Sequence, residues 1–130
     1  VVVQVLFQED LNPEIDSAAE QEFLRSRLRD LREFVQFAEG LLAGVRQYRQ
    51  EVDEQLQRVA DNWRLNRMAA TDRSILRLAA YEILYCRGTP GSVVINEAIE
   101  LAKRYGTRQS SQFVNGLLDR LYKSLHDGSP

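Results

Sequence analysis

The chain holds one histidine, one cysteine and three prolines in 130 residues. Each scarcity excludes something. A zinc or other transition-metal site needs three or four His, Cys or carboxylate ligands converging, which His126 and Cys86 do not supply, so no metal is expected. The lone Cys86 cannot form an internal disulfide, which makes a reducing, cytoplasmic compartment the expectation. A Cys86/His126 nucleophile pair is only formally available, because Cys86 closes an apolar run and is read as a small core residue, while His126 stands in a frayed tail. No apolar run approaches the ~20 residues of a membrane span, and the first residues lack the basic stretch and small-residue cleavage site of a signal peptide. Membrane insertion and secretion are not expected. No glycine-rich phosphate loop follows a strand, since no segment reads as a strand with anything to pair with. Glu97 and Glu100 have the one-turn spacing of paired acids, but an exposed helix face has the same spacing. No catalytic residue and no cofactor are therefore assigned, and the expectation is a protein that binds rather than an enzyme.

What is present belongs to a folded domain. Hydrophobic residues make up 44% and charged residues 28%, too apolar a balance for a disordered chain, and the length suffices for one core. The net charge of −2 hides an asymmetry: residues 1–61 carry seven Arg/Lys against thirteen Asp/Glu, and residues 62–126 carry ten against five. A basic half attracts nucleic acid or an acidic partner even when the whole protein is acidic, although a solvated charged surface has the same composition. Fifteen of the 17 cations are arginine, whose planar fork matches phosphate.

Periodicity predicts helices throughout. The chain starts at Val1 without a methionine, inside a stretch that already reads as an amphipathic helix with Val1, Val2, Val5 and Leu6 on one face, so upstream residues are expected. Pro13 breaks it, and Ser17 is the N-cap of a short second helix reaching about Asp30. Phe34, Ala38, Leu41, Val45, Tyr48, Val52, Leu56 and Val59 alternate steps of three and four, predicting one long third helix. Its outer positions Arg46, Arg49, Glu51, Asp53, Glu54 and Arg58 read as a solvated face. Thr71 is the predicted N-cap of a fourth helix with Asp72 in its first turn. From Ile75 to Cys86 almost every residue is apolar, so that helix must be central. Gly88-Thr89-Pro90-Gly91 stops it, Ser92 caps the next, and Gly106 ends that one. A last helix starts at Ser110 or Ser111 and buries Phe113, Val114, Leu117, Leu118, Leu121 and Leu125, with Gly116 admitting a close neighbour.

The most informative stretch joins the last two helices: Ala102-Lys103-Arg104-Tyr105-Gly106-Thr107-Arg108-Gln109-Ser110-Ser111-Gln112-Phe113. It concentrates cations, amides, hydroxyls and aromatics. Single-stranded RNA is held by cations on phosphate and by bases stacked on aromatic rings, and free amides at a helix N-terminus also suit phosphate. Composition leaves open a blander reading, in which Tyr105 and Phe113 are core residues and the polar loop only connects helices.

Three ordered segments resemble the NusB family: Asp72-Arg73-Ser74-Ile75-Leu76-Arg77-Leu78-Ala79-Ala80-Tyr81-Glu82-Ile83-Leu84, then Val94-Ile95-Asn96-Glu97-Ala98-Ile99-Glu100-Leu101-Ala102-Lys103, then Phe113-Val114-Asn115-Gly116-Leu117-Leu118-Asp119. The similarity is dense over about residues 71–121 and weaker, but in register, at Val3-Gln4-Val5-Leu6-Phe7 and Leu41-Leu42-Ala43-Gly44-Val45. Residues 8–35 match poorly. The resemblance implies an all-α NusB-like fold of two packed three-helix subdomains: a single domain over 1–127, divided near residue 60, with 128–130 as a tail. It implies a transcription antitermination factor, linked also to ribosomal RNA transcription, that binds boxA-like single-stranded RNA together with the ribosomal protein NusE within the elongation complex. It places RNA contact on Lys103, Arg104, Tyr105, Gly106, Arg108, Gln109, Ser110, Gln112 and Phe113, and NusE contact on Phe7, Asp72 and Arg73. The family has an arginine-rich segment just before its first helix, and this chain starts inside that helix. Phe7 and the uncharged Gln109 also depart from the family's pattern. Two other readings remain: the NusB-like domain that precedes the methyltransferase domain of some ribosomal RNA cytosine methyltransferases, and a structural module that self-associates as a homodimer.

Overall fold

Apolar positions spaced by three and four residues bury one face of a helix at a time, and the chain follows that pattern wherever its structure is described. The computed structural model describes residues 2–11, 22, 32–60, 64–86 and 88–127, and every regular element among them is helical. Helix α1 spans Val2–Leu11, α2 Arg32–Gln47, α3 Arg49–Ala60, α4 Ala70–Tyr85, α5 Gly91–Tyr105 and α6 Ser110–Asp127, with a single 3₁₀ turn at Leu65–Arg67 before α4. The helix expected over 17–30 lies outside the described residues, apart from Glu22, which is helical.

Helix α4 is central, as its nearly continuous apolar surface requires: it packs against α1, α2, α3, α5 and α6. Ile75, Leu76, Ala79 and Ala80 are buried on it, and Leu56 of α3 with Val114, Leu118 and Leu121 of α6 join the same core. Each isoleucine, leucine or valine side chain so removed from water contributes about 1.5–3 kcal/mol.

Several local expectations are corrected. The single long third helix is two helices, because Tyr48 leaves regular helical geometry between α2 and α3. Its amide still bonds Gly44 O at 3.0 Å and its carbonyl accepts from Val52 N at 2.9 Å, so the chain continues in nearly the same direction. Gly44 lies against the Tyr81 ring, where any Cβ would collide, and this lets α2 approach α4 closely. Thr71 does not cap α4: the helix starts at Ala70, with Ala69 at the cap and no side-chain bond to it. Ser92 likewise lies in the first turn of α5, exposed, with Pro90 at the cap. Gly116 faces open space, while Gly91 is the glycine that lies against α6, at Tyr122. Leu125 is exposed rather than buried. Cys86 is half-buried at the end of α4.

The charged face assigned to the third helix is only partly solvated. Asp53 turns inward and accepts from Arg77 Nε at 2.9 Å and Nη2 at 3.1 Å, a bidentate pair. Asp10 of α1 accepts from both nitrogens of the Arg73 fork, and Arg77 Nη1 approaches it at 3.5 Å. The side chains of Asp10, Arg73 and Arg77 are only 10%, 13% and 10% exposed. Arg73 also donates to the carbonyls of Leu65 at 3.1 Å and Met68 at 3.2 Å. These bonds tie α1, α3 and the 3₁₀ turn to one face of α4. They also place two arginines of the basic half against two aspartates of the acidic half.

Candidate nucleic-acid interface

The α5–α6 junction is built from backbone needs. Helix α5 carries Lys103 and Arg104 in its last turn, where the dipole favours cations. Gly106 then leaves the helix, its amide still bonded to Ala102 O at 2.9 Å. Its φ of −95° is open to any residue, so conformational freedom does not explain the glycine. Space does: a Cβ there would lie 2.5 Å from Ser110 Oγ and 2.8 Å from Ala102 O. Ser110 closes the turn by accepting from Thr107 N at 2.9 Å and sharing a 3.1 Å bond with Thr107 Oγ1, while its own amide bonds Thr107 O at 3.1 Å.

This framework pushes the polar side chains outward. Lys103, Arg104, Thr107, Arg108, Gln109 and Gln112 are exposed, and Tyr105 leaves 39% of its surface open. Among the described residues Arg104 and Arg108 make no ion pair, and Lys103 has only a loose 3.6 Å partner in exposed Glu100. The open reading of the two aromatics therefore resolves differently for each. Tyr105 is on the surface, while Phe113 is half-buried and packs on the core. Ser110 is only 2% exposed with its hydroxyl engaged inside the turn, so it shapes the loop and presents nothing to a ligand. Gly106 is half-buried and acts the same way.

Beside this surface a groove of about 600 Å³ is lined by Asn96, Glu97, Glu100, Leu101, Lys103 and Arg104. Its two carboxylates are balanced by the two cations, so the groove itself carries no net charge. Glu97 and Glu100 are both exposed, in keeping with the surface reading. Among the described residues no group of three or more His, Cys, Asp or Glu could hold a metal ion, and no helix is long and apolar enough to cross a membrane. The His126 side chain lies outside the described residues, so the pairing with Cys86 is not placed.

The residues expected to face a protein partner are less open. Phe7 is half-buried, Arg73 is engaged by Asp10, and Asp72 is 8% exposed with Oδ1 lacking a hydrogen-bond partner among the described residues. A charge role for Asp72 on an open surface has no support in this placement, since the carboxylate sits inside the first turn of α4. The inward Asp10–Arg73–Arg77–Asp53 array went unread in the sequence. Arg73 and Arg77 stand one turn apart on α4, but their acceptors are 63 and 24 residues away.

The chain matches the NusB family over residues 1–123. It is 47% identical over 123 residues to the transcription antitermination protein NusB of Anaeromyxobacter dehalogenans (strain 2CP-1 / ATCC BAA-258), covering 95% of this chain and 86% of that protein. Its fold superimposes on T. maritima NusB with a TM-score of 0.83 at 36% identity, over 94% of this chain and 85% of that one. It also superimposes on a chain of the solved complex of antitermination factors NusB and NusE with double-stranded RNA, with a TM-score of 0.85 over 95% and 91% of the two chains. At 22% identity, that likeness speaks for the fold alone.

Proposed function

Since the chain belongs to the NusB family, we propose that it is a transcription antitermination factor that holds boxA-like single-stranded RNA on the α5–α6 junction and docks NusE through a separate face. It acts by binding rather than by catalysis, within the transcription elongation complex, as one domain over residues 1–127 whose halves divide near residue 60. The observation that carries the reading is the cluster of exposed Lys103, Arg104, Tyr105, Arg108, Gln109 and Gln112 around one turn, in a chain of this family. Arg104 and Arg108 meet phosphates, Tyr105 offers a ring face to a base, and Gln109 and Gln112 supply donors and acceptors. The NusE face includes α1, with Phe7 as its apolar contact. Arg73 supports that face from within by holding Asp10. The relatives' names as antitermination proteins favour this reading over the methyltransferase one.

The test is RNA binding by the full chain across a salt series, with Arg104→Ala and Arg108→Ala combined. Removing two phosphate contacts should weaken binding and flatten the log–log salt slope by about 1.4, at roughly 0.7 per phosphate on a single strand. An unchanged affinity and slope would overturn the assignment. A duplex of the same sequence is measured in parallel, and equal or tighter binding to it would overturn the single-strand preference.

A further inference from the structure

Where α4 ends, ahead of the first residue of α5 and not at the α5–α6 turn, a second aromatic surface has no part in the function above. Tyr48, at the α2–α3 junction, stacks on Tyr85 at a centroid distance of 4.2 Å and an interplanar angle of 20°. Tyr81, one turn before Tyr85 on α4, completes the triangle at 5.7 Å from Tyr85 and 6.3 Å from Tyr48. Tyr85 is 40% exposed at the last position of α4, and the other two rings are half-buried. A core would have covered these rings, since three tyrosines in mutual contact at the surface leave apolar ring area in water.

Among the described residues the charge beside the cluster is acidic. Exposed Glu51 follows Tyr48 by three residues in the first turn of α3, and its charge acts on Tyr85. The nearest arginines of α2 and α3 are directed elsewhere. Arg46 and Arg49 line the groove with Gln50 and Gln57, and Arg49 reaches Asp53 and Asp10 at 3.8 and 4.0 Å. An electron-rich ring stack beside a carboxylate attracts a cation. Guanidinium fits best, because its flat face stacks on an aromatic ring while its edge donates to a carboxylate.

We propose that the Tyr48, Tyr81 and Tyr85 cluster, with Glu51 at its rim, docks an arginine side chain carried on a segment of a protein partner. The arginine stacks on the open face of Tyr85 and donates to Glu51. The site is independent of the α5–α6 turn, so one chain can hold RNA and this segment together.

The experiment is a titration of the full-length chain, with its tyrosine ring resonances followed by NMR, using a capped pentapeptide of alternating leucine and arginine. The same peptide with citrulline in place of arginine keeps the shape and removes the charge. Shifts at the Tyr85 and Tyr48 rings that saturate with the arginine peptide, with the citrulline form binding at least threefold more weakly, are the expected result. Tyr85→Ala should weaken binding three- to fivefold, Tyr85→Phe should retain it, and Glu51→Gln should weaken it about twofold. Equal binding of the citrulline peptide, or no loss in Tyr85→Ala, would overturn the proposal. So would a ten-nucleotide uridine RNA moving the same rings at lower concentration than the peptide. Arg104→Ala with Arg108→Ala should leave peptide binding unchanged, which separates failure of this site from failure of the RNA site.

Discussion

Replacing Asp10 with alanine tests whether the inward charge array ties α1 to the body of the protein. In the folded chain this carboxylate accepts from Arg73 Nε at 2.9 Å and from Arg73 Nη2, and it lies 3.5 Å from Arg77 Nη1, with only 10% of its side chain exposed. Breaking a buried pair from one side costs about 3–5 kcal/mol, because the remaining charge stays desolvated. Here both arginines keep other acceptors: Arg77 has the two Asp53 oxygens, and Arg73 has the carbonyls of Leu65 and Met68. The lower end, about 3 kcal/mol, is therefore expected, or a fall of about 10 °C in Tm for a domain of this size. Urea unfolding followed by circular dichroism measures it. Arg49→Ala is the control, since Arg49 is half exposed and only 4.0 Å from the same carboxylate, and it should change stability by less than about 0.5 kcal/mol. A double-mutant cycle of Asp10→Ala with Arg73→Met should return a coupling of about 1–3 kcal/mol. A loss below about 1 kcal/mol for Asp10→Ala, or additive effects in the cycle, would refute the assignment of the array as a clamp.

Two further outcomes follow from particular residues. Burial, and next the charge of Glu97, raise the Glu82 carboxyl above its ordinary 4.5, so the folded state binds that proton more tightly than the unfolded state does. The contribution of Glu82 is then fully present below pH 4.5 and is lost as pH rises through the raised value. Glu82→Gln should accordingly gain stability relative to the parent at pH 7 but not at pH 4, as compared by urea unfolding, and an equal difference at both pH values would contradict the burial argument. Gly106→Ala should displace Ser110 or the Ala102 carbonyl, costing about 1–3 kcal/mol by overpacking and weakening RNA binding at constant salt. Wild-type stability and affinity in that variant would show that the turn tolerates the extra carbon.

The helical class, the central place of the Ile75–Cys86 stretch and the start of the last helix at Ser110 or Ser111 were legible in the residues alone. Each rests on local spacing: an apolar surface on all sides of one helix can only be satisfied by surrounding it, and a glycine before a serine-rich turn ends one helix and begins the next. The polar character of the 103–113 junction was legible for the same reason, since exposed side chains there are neighbours in the chain. Periodicity could not reveal the interruption at Tyr48, because the apolar seam runs through it in step. Nor could it tell that Asp53 leaves the solvated face to pair with Arg77, or that Ser110 and Asp72 are buried. A charge on an outward-looking position is distinguished from one in an internal pair only by what lies opposite, and Asp10 stands 63 residues from Arg73. Tertiary structure alone decided those partners. It left the cations at the α5–α6 turn free of ion pairs among the described residues, apart from the loose Lys103–Glu100 contact, while it neutralised others of the same basic half inside the fold.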